Sequence, residues 1–277
     1  MQRKINDIRD SFRDLLYRFR IGMEILCLEP KLAVRAILVL GASYIRFTKS
    51  PKILVGTHHK VLTVFMIRIF KTFAKITNRS ISVGTGDNVD YSADIIFDHH
   101  SQFDFSSINF EYLGVHFCRD PRHLLISSGF YYKCSNEPQL HVPDKKYGGK
   151  TYQQYINAMD SMEEVFLFEL DHSAGNNIRQ MLDWNYKRGF VELKFEDLVN
   201  PKGSEIFYQE ISNWPLSTLE KSLLEGLFDY YSIFGGRGKK ADHVRDPQGK
   251  KFKEHFSKKL KWEFDTRFPD ALNKLGY

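Results

Sequence analysis

Short apolar runs alternate along this chain with longer segments in which apolar residues recur at helical spacing. The first run, Ile53 to Val55, ends at Gly56, as expected of a buried strand in a parallel sheet. A polar stripe then marks a helix, and it consists of Arg68, Lys71, Thr72 and Lys75. The other faces of this helix carry Phe65, Met66, Ile69, Phe70, Phe73 and Ile76. The pattern predicts a strand, a tight loop and a mostly buried helix.

Three further apolar runs predict strands, at residues 93–97, 112–118 and 189–195. Residues 84–90 are typical of a loop. Helices are predicted at residues 122–133, around 153–170 and at 177–187. The first of them has Asp120 as its N-cap and Pro121 at its first position. Because strands separated by helices form parallel sheets, the predicted fold class is α/β: a single domain with a central parallel sheet flanked by helices.

The first 48 residues are predicted to be a helical segment. Its apolar stripe begins with Ile5, Ile8, Phe12, Leu15, Leu16 and Phe19. Pro30 separates it from a second helical run, Leu32 to Phe47. A basic amphipathic start can make a peripheral contact with a membrane or pack on the domain, and packing is the preferred interpretation.

Composition favours one globular unit. The chain has 277 residues, of which 42% are hydrophobic, and no Pro-, Gly- or Ser-rich linker divides it, so one domain over 1–277 is expected. Cys27, Cys118 and Cys134 lack metal-ligand spacing, which indicates reduced thiols and a cytoplasmic protein. The charged start is no signal peptide, and the most apolar stretch, Ala36 to Tyr44, is too short to cross a bilayer.

The net charge of +6 is unevenly distributed. Residues 237–261 hold ten Lys or Arg residues. Such a cluster is typical of a solvated face, or of a surface that binds nucleic acid, an anionic membrane or an anionic small ligand.

The loop after the first strand contains Thr57, His58, His59 and Lys60. A helix start leaves backbone N–H groups unpaired and carries partial positive charge, so this geometry favours anions, phosphate above all. Lys60 adds a full charge at the same point. The nucleotide-hydrolase pattern requires a second glycine followed directly by Lys and Ser or Thr, and that arrangement is absent here.

Arg119 closes the third predicted strand, and Ser127 follows about two helical turns later, so both side chains can face one point. An arginine fork together with a hydroxyl suits a phosphate with several oxygens. The alternative for Arg119 is an ordinary salt bridge with Asp120 or Asp197. Because ligands bind outside the carboxyl ends of parallel strands, this position is a candidate site.

Four motifs occur in order between residues 50 and 277. They are Thr57-x-x-Lys60-x-x-Thr63-x-Phe65 after a strand, Arg119-Asp-Pro-Arg-x-x-x-x-Ser127-Ser128, Phe195-Glu-Asp-Leu198 and Arg245-x-x-x-Gly249-x-x-Phe-Lys-x-x-Phe256. With these motifs the chain resembles the sulfotransferases that use 3′-phosphoadenosine-5′-phosphosulfate (PAPS), as a bacterial-type, cytosolic-like domain with a P-loop-like phosphosulfate loop. The blocks that begin at Arg119 and Arg245 are the most specific.

The resemblance implies roles at the matching positions. Lys60 and Thr63, with loop N–H groups, would hold the 5′-phosphosulfate. Arg119 and Ser127 would bind the 3′-phosphate, joined by Arg245 from a basic cofactor-covering loop at 237–261. The full set of implied cofactor-binding residues is Thr57, His58, His59, Lys60, Val61, Leu62, Thr63, Val64, Phe65, Arg119, Ser127, Phe195, Tyr231, Arg245 and Gly249.

Three aromatic residues of this set stand at or near the adenine positions of the family. Phe65 replaces the stacking tryptophan, Phe195 stands where the family often has tyrosine, and Tyr231 matches a nearby aromatic. The family loop usually continues Ser-Gly-Thr-Thr-Trp after the lysine, whereas Val61 and Leu62 occupy the first two of those positions here. A catalytically impaired relative therefore remains an alternative to an active enzyme.

The resemblance also implies the catalytic residues. His99, at the end of the second predicted strand, fits the position of the general base, and His100 is its rival by adjacency. Neighbouring residues at a strand end point to opposite sides, so only one of the two is expected to face the sulfuryl group. Lys60 would stabilise charge on the leaving phosphate.

Other functions are weighed against this interpretation. A nucleotide kinase requires the missing Gly-Lys-Ser/Thr turn, and Asp98 alone is weak support for its magnesium. A basic module that binds a membrane or nucleic acid leaves the coincidence of Arg119, Ser127 and Lys60 unexplained. No metal is expected, because no Cys or carboxylate stands at ligand spacing to the paired histidines. The expected partner is a small-molecule, glycan or lipid acceptor, with no nucleic acid, and the oligomeric state is open.

Overall fold

The computed structural model describes residues 30–43, 51–185, 189–234 and 252–277. Within these residues five strands form a single sheet, and they are β1 Lys52–Gly56, β2 Ile81–Gly84, β3 Ile95–Asp98, β4 Tyr112–Cys118 and β5 Phe190–Lys194. The strand order is β2-β3-β1-β4-β5, and every pair is parallel. The chain therefore has the predicted α/β fold, with a central parallel sheet flanked by helices.

Helices connect and cover the strands. The α-helices are numbered along the described chain as α1 Pro30–Ser43, α2 Thr63–Thr77, α3 Pro121–Cys134, α4 Tyr152–Asn157, α5 Met162–Leu170, α6 Ser173–Asp183, α7 Phe195–Leu198, α8 Gly203–Glu210, α9 Thr218–Tyr231, α10 Phe252–His255, α11 Lys258–Arg267 and α12 Ala271–Leu275. Short 3₁₀ turns lie at Gly86–Asn88, Pro138–His141 and Lys145–Tyr147. No described helix has the length and apolar character needed to cross a membrane.

The strand order creates one switch point at the carboxyl edge. The chain leaves β1 towards β2 on one side of the sheet and leaves β4 towards β5 on the other. Ligands of open α/β sheets bind in the crevice where connections diverge in this way. The loop after Gly56 and the residue after Cys118 both lie at that crevice, so the topology places Lys60 and Arg119 at its two sides.

Alternate strand residues pack into two apolar cores. Ile53 and Val55 of β1 face the larger core, together with most of the buried helical side chains. Leu54 faces a smaller core that also contains Phe190, with Trp184 packed against it. In this second core Gly114 allows β4 to approach the Phe190 ring, because a Cβ at position 114 would lie 2.3 Å from the ring.

The predicted elements differ from the structure at three places. No strand was predicted at β2, which contains only two apolar residues and whose four residues are all half-buried at the sheet edge. The helix expected around 153–170 is two helices, α4 and α5. The helix expected at 177–187 begins at Ser173 and ends at Asp183. The second N-terminal run contains most of α1, and its residues 44–47 lie outside the described ones.

Two predicted segments fall wholly or partly outside the described residues. The basic amphipathic run at 2–29 is one of them, so its packing stays a prediction. Most of the basic loop at 237–261 is the other. Its last part is described, and residues 252–261 contain α10 and the start of α11.

Candidate functional site

The loop between β1 and α2 closes on the backbone of His58. The Val61 N–H group donates to the His58 carbonyl at 2.9 Å, and the Thr63 hydroxyl donates to the same oxygen at 2.7 Å. Helix α2 then begins after Leu62, and no side chain caps it. A helix start of this kind presents backbone N–H groups and partial positive charge, as an anion site requires.

Two residues of the loop have a left-handed backbone although neither is glycine. The φ angle is 65° at Lys60 and 59° at Leu62. For a residue with a Cβ this region costs about 1–2 kcal/mol. Leu62 stands where the sequence resemblance expects glycine, the residue that a left-handed backbone favours. Strain of this kind is concentrated at functional sites.

Arg119 joins the end of β4 to the loop. Its guanidinium is buried, and Nη1 donates to the Lys60 carbonyl at 2.8 Å. The guanidinium carbon lies 3.9 Å from the centre of the Phe195 ring. The Lys60 ammonium lies 3.7 Å from the centre of the Tyr131 ring on α3. The structure thus brings together Lys60, Arg119 and Phe195, three residues that the sequence assigned to the site.

The carboxylates beside Arg119 have other partners. Asp120 caps α3 through the Arg122 N–H group at 2.9 Å and forms an ion pair with the Arg122 side chain at 2.6 Å. Glu196 accepts hydrogen bonds from the Asp120 N–H group at 3.2 Å and from the Tyr277 hydroxyl at 2.7 Å. Burial acts to raise the pKa of Glu196, but hydrogen bonds and the charge of Arg119 hold it below its ordinary value. Asp120 therefore pairs with Arg122, whereas the sequence left open a salt bridge between Asp120 and Arg119.

The two histidines after β3 face different neighbours. The His99 ring meets the Phe97 ring edge-on at 5.8 Å, and its Nε2 is buried without a hydrogen-bond partner among the described residues. Burial, followed by the nearby His100, lowers the pKa of His99. His100 Nδ1 lies 2.8 Å from the Gln180 amide oxygen on α6. That bond makes Nδ1 the donor and leaves Nε2 of His100 as an acceptor.

His58 and His59 contact different residues. His58 is fully buried, and its Nε2 lies 2.9 Å from Nε2 of His116. His59 stacks on the Tyr132 ring at 5.6 Å. Burial, together with the charge of Lys60, lowers the pKa of His59 to about 3. Within the described ranges no group of three or more metal-ligating side chains is arranged to hold an ion.

Sequence reasoning missed His116 and Glu192. His116 Nδ1 lies 3.0 Å from a carboxylate oxygen of Glu192 on β5, and the His116 ring stacks on Trp184 at 4.2 Å. The available signal was a charged or polar residue inside two apolar strand patterns, at 116 and 192. Their pairing depends on strand register, which those patterns do not give.

The remaining site residues are more dispersed. Ser127 lies half-buried on α3, and Phe65 packs edge-on against Phe228 at 4.9 Å. The Tyr231 hydroxyl bonds Thr72 at 2.9 Å, two turns or about 10 Å along α2 from Phe65. Tyr231 therefore belongs to the contact between α2 and α9.

The other loop residues differ sharply in exposure. Val61 is fully buried, whereas Val64 is 63% exposed. Thr57 is fully buried, and its hydroxyl has no hydrogen-bond partner among the described residues. Arg245 and Gly249 lie outside the described residues, so their roles stay predictions.

The comparisons with known proteins bear on the fold. The structure of a mouse sulfotransferase, SULT7A1, in complex with PAP matches this chain with a TM-score of 0.52 and 12% sequence identity, over 84% of this chain and 89% of that chain. No family model and no curated protein sequence matches the chain. At this identity the likeness establishes a sulfotransferase fold alone. The matching protein is from mouse, and it gives no support to the bacterial-type assignment.

Proposed function

We propose that this chain is a sulfotransferase that transfers the sulfuryl group from PAPS to an acceptor hydroxyl or amine. The observation that carries the proposal is the contact of two basic residues, Lys60 and Arg119, at the switch point. Lys60 lies in the loop after β1, and Arg119 at the end of β4 bonds its carbonyl. The likeness of the fold to that of a sulfotransferase solved with PAP supports the same conclusion.

The residues at the loop fit an anionic nucleotide. Helix α2 starts without a side-chain cap, and Arg119 bonds the Lys60 carbonyl in the loop that precedes it. Lys60, Thr63 and the N–H groups of the first turn would hold the 5′-phosphosulfate. Arg119 and Ser127 would hold the 3′-phosphate, with Arg245 as a further cation. Aromatic rings suited to the adenine are those of Phe65 and Phe195.

When bound, PAPS supplies an activated sulfuryl group with an adenosine bisphosphate leaving group. The protein has two tasks around that group. One is to accept a proton from the acceptor hydroxyl, and a positioned base contributes about 10²- to 10⁴-fold to such a step. The other is to stabilise negative charge on the leaving phosphate, which Lys60 and the start of α2 are placed to do.

His99 is the proposed base, and His100 is the competing candidate. His99 has an unpartnered Nε2 and a lowered pKa, so it is neutral and able to accept a proton at pH 7. His100 has an orienting partner in Gln180, which fixes its ring and leaves Nε2 as the acceptor. The two rings face different neighbours, so single substitutions separate the roles.

The proposal places the enzyme in the cytoplasm, with a small-molecule, glycan or lipid acceptor. The reduced, buried thiol of Cys118 is consistent with a reducing compartment. A nucleotide- or membrane-binding module without transfer activity is the alternative, and the experiment below separates it from an enzyme.

The test is sulfate transfer from labelled PAPS to a panel of phenols, sterols, glycans and glycolipids. We expect transfer to at least one acceptor class, and a loss of about 10²- to 10⁴-fold in His99→Ala with PAP binding unchanged. A loss confined to His100→Ala would reassign the base. PAP binding without transfer to any acceptor would support the non-catalytic module, and absence of both would overturn the proposal.

A further inference from the structure

A row of polar residues crosses the sheet directly under the loop. Asp98, Gly56, His116 and Glu192 are successive register partners on β3, β1, β4 and β5. Gly56 has no side chain, and the ring of His58 turns back from the loop towards His116. The Glu192 carboxylate at the far end is 35% exposed, whereas the His116 and His58 side chains are buried.

The hydrogen bonds of the row fix where its protons lie. Glu192 is an ionised acceptor, because its hydrogen bond from His116 holds its pKa below the ordinary value. His116 therefore donates from Nδ1, and its Nε2 must accept in the neutral ring. The contact of 2.9 Å between the two Nε2 atoms needs one proton, so His58 donates it.

This arrangement leaves one atom able to take another proton. Nδ1 of His58 is a lone-pair acceptor, and it is buried without a formed hydrogen bond among the described residues. The Gln180 side chain acts to raise the pKa of His58, and its amide oxygen lies 2.8 Å from His100 Nδ1. Burial and the neighbouring His116 lower the pKa of His58 far below its ordinary value, so the ring is neutral while no anion is near.

The surroundings of His58 determine what would change its charge. The groups that act on the pKa of His58 are His116, His100 and Gln180. Glu192 bonds the other nitrogen of His116, and Asp98 is the register partner of Gly56 in the same row. His59 and Lys60 follow His58 in the loop. The His58 carbonyl also closes the loop through Val61 and Thr63. An anion at the start of α2 would therefore lie against the backbone of the same residue, and its charge would favour the imidazolium.

We propose that Glu192, His116 and His58 supply the phosphate loop with a second, protonatable cation. When an anion occupies the loop, His58 takes up one proton from solvent at Nδ1, and the Glu192 carboxylate balances the new charge through His116. The proposal rests on the proposed function only in treating the loop as an anion site.

Protonation of His58 in the complex determines whether anion affinity rises or falls with pH. A group that binds its proton more tightly in the complex strengthens binding at low pH and loses that effect as pH rises through its pKa in the complex. The affinity for an anion should fall as pH rises, by up to about tenfold per pH unit. The phosphates of the ligand titrate in the same pH range, so the pH dependence of wild type must be compared with that of Glu192→Gln.

The experiment is calorimetry of the full chain with PAP, and separately with inorganic pyrophosphate, in buffers of different ionisation enthalpy. Glu192→Gln keeps an oxygen to accept from His116 but removes the charge. We expect wild type to take up about one proton more per ligand than Glu192→Gln, and to bind about tenfold more tightly. Glu225→Gln, whose carboxylate pairs with Arg35 on α1, is the matched control and should behave as wild type.

A spectroscopic measurement covers the case in which a variant folds poorly. In wild type, the ¹⁵N resonance of His58 Nδ1 should move from the unprotonated to the protonated position on addition of pyrophosphate. Unchanged proton uptake in Glu192→Gln, or an unchanged His58 signal, would overturn the inference while leaving PAP binding intact. Proton uptake on pyrophosphate binding, with PAP bound no more tightly than pyrophosphate, would support the inference. The same result would count against the proposed function. Absence of binding to either anion would overturn both.

Discussion

At the scale of single residues, the loop is shaped by a backbone conformation that its side chains oppose. Leu62 is the N-cap of α2 and has φ of 59° and ψ of 9°. At an ordinary helical position alanine is more stable than glycine by about 1 kcal/mol. At a left-handed position the order reverses, because only glycine lacks the Cβ that clashes with the backbone.

Leu62→Gly and Leu62→Ala form a matched pair, because both remove the same apolar side chain. We expect the glycine variant to be more stable than the alanine variant by about 1 kcal/mol, measured by urea denaturation. The glycine variant should also bind PAP more tightly than the alanine variant, since the backbone can approach the phosphate. An alanine variant equal to or more stable than the glycine variant would show that the left-handed loop is not the native one.

At the scale of elements, a buried carboxyl group links three helices beside the site. Glu169 on α5 accepts a short hydrogen bond from the Tyr152 hydroxyl on α4. Its other oxygen accepts from the Ala174 N–H group at the start of α6, at 3.0 Å. Burial outweighs these bonds and raises the pKa of Glu169 from 4.5 to about 7. The packing of the three helices therefore depends on whether this group carries a proton.

The folded protein holds the Glu169 proton more tightly than the unfolded chain between pH 4.5 and 7. Stability from this group is therefore complete below pH 4.5 and is lost as pH rises to 7, a total of about 3 kcal/mol. Glu169→Gln should remove this loss, so its stability relative to wild type should rise between pH 5 and 8 in urea titrations.

The exposed Glu164→Gln on the same helix is the control for this titration, and it should follow wild type at every pH. Parallel pH profiles for wild type and Glu169→Gln would contradict a raised pKa at this position.

At the scale of the whole molecule, residues 276 and 277 pack against the same sheet edge as the site. Lys194 on β5 donates to the Gly276 carbonyl at 2.5 Å, and the Tyr277 hydroxyl donates to Glu196 at 2.7 Å. Glu196 follows Phe195, whose ring stacks on Arg119. Chain segments more than 150 residues apart in sequence, from β4 to residue 277, thus meet beside the candidate phosphate site.

Tyr277→Phe removes the hydroxyl and leaves the ring in place. We expect a loss of about 1 kcal/mol in the free energy of unfolding, because Glu196 loses a buried hydrogen-bond donor. The partly exposed Tyr155→Phe should change stability by less than about 0.5 kcal/mol. Equal effects of the two substitutions in denaturant titrations would indicate that the Tyr277 hydroxyl does not hold this edge together.

Much of the fold could be predicted from the sequence because its signals are local. The apolar runs located β1, β3, β4 and β5, and Asp120 followed by Pro121 located the start of α3. β2 lacked a signal, since an edge strand with two apolar residues resembles a loop.

The candidate site also has a part that local sequence signals predict and a part that they do not. Strand-end positions such as Lys60 and Arg119 follow from a parallel sheet, and the structure joins them. The contacts of His58 with His116, and of Tyr231 with Thr72, depend on register and on helix packing between distant segments. Motif spacing carries no information about either.

The most direct test of the central claim is equilibrium binding of PAP, with adenosine as competitor and Lys60→Met as the variant. We expect saturable binding of one PAP per chain and an affinity for adenosine that is weaker by about 100-fold or more. Lys60→Met should lose at least about tenfold in PAP affinity, whereas the exposed Lys202→Met should not. Binding of adenosine and PAP with equal affinity, or no saturable PAP binding, would contradict the central claim.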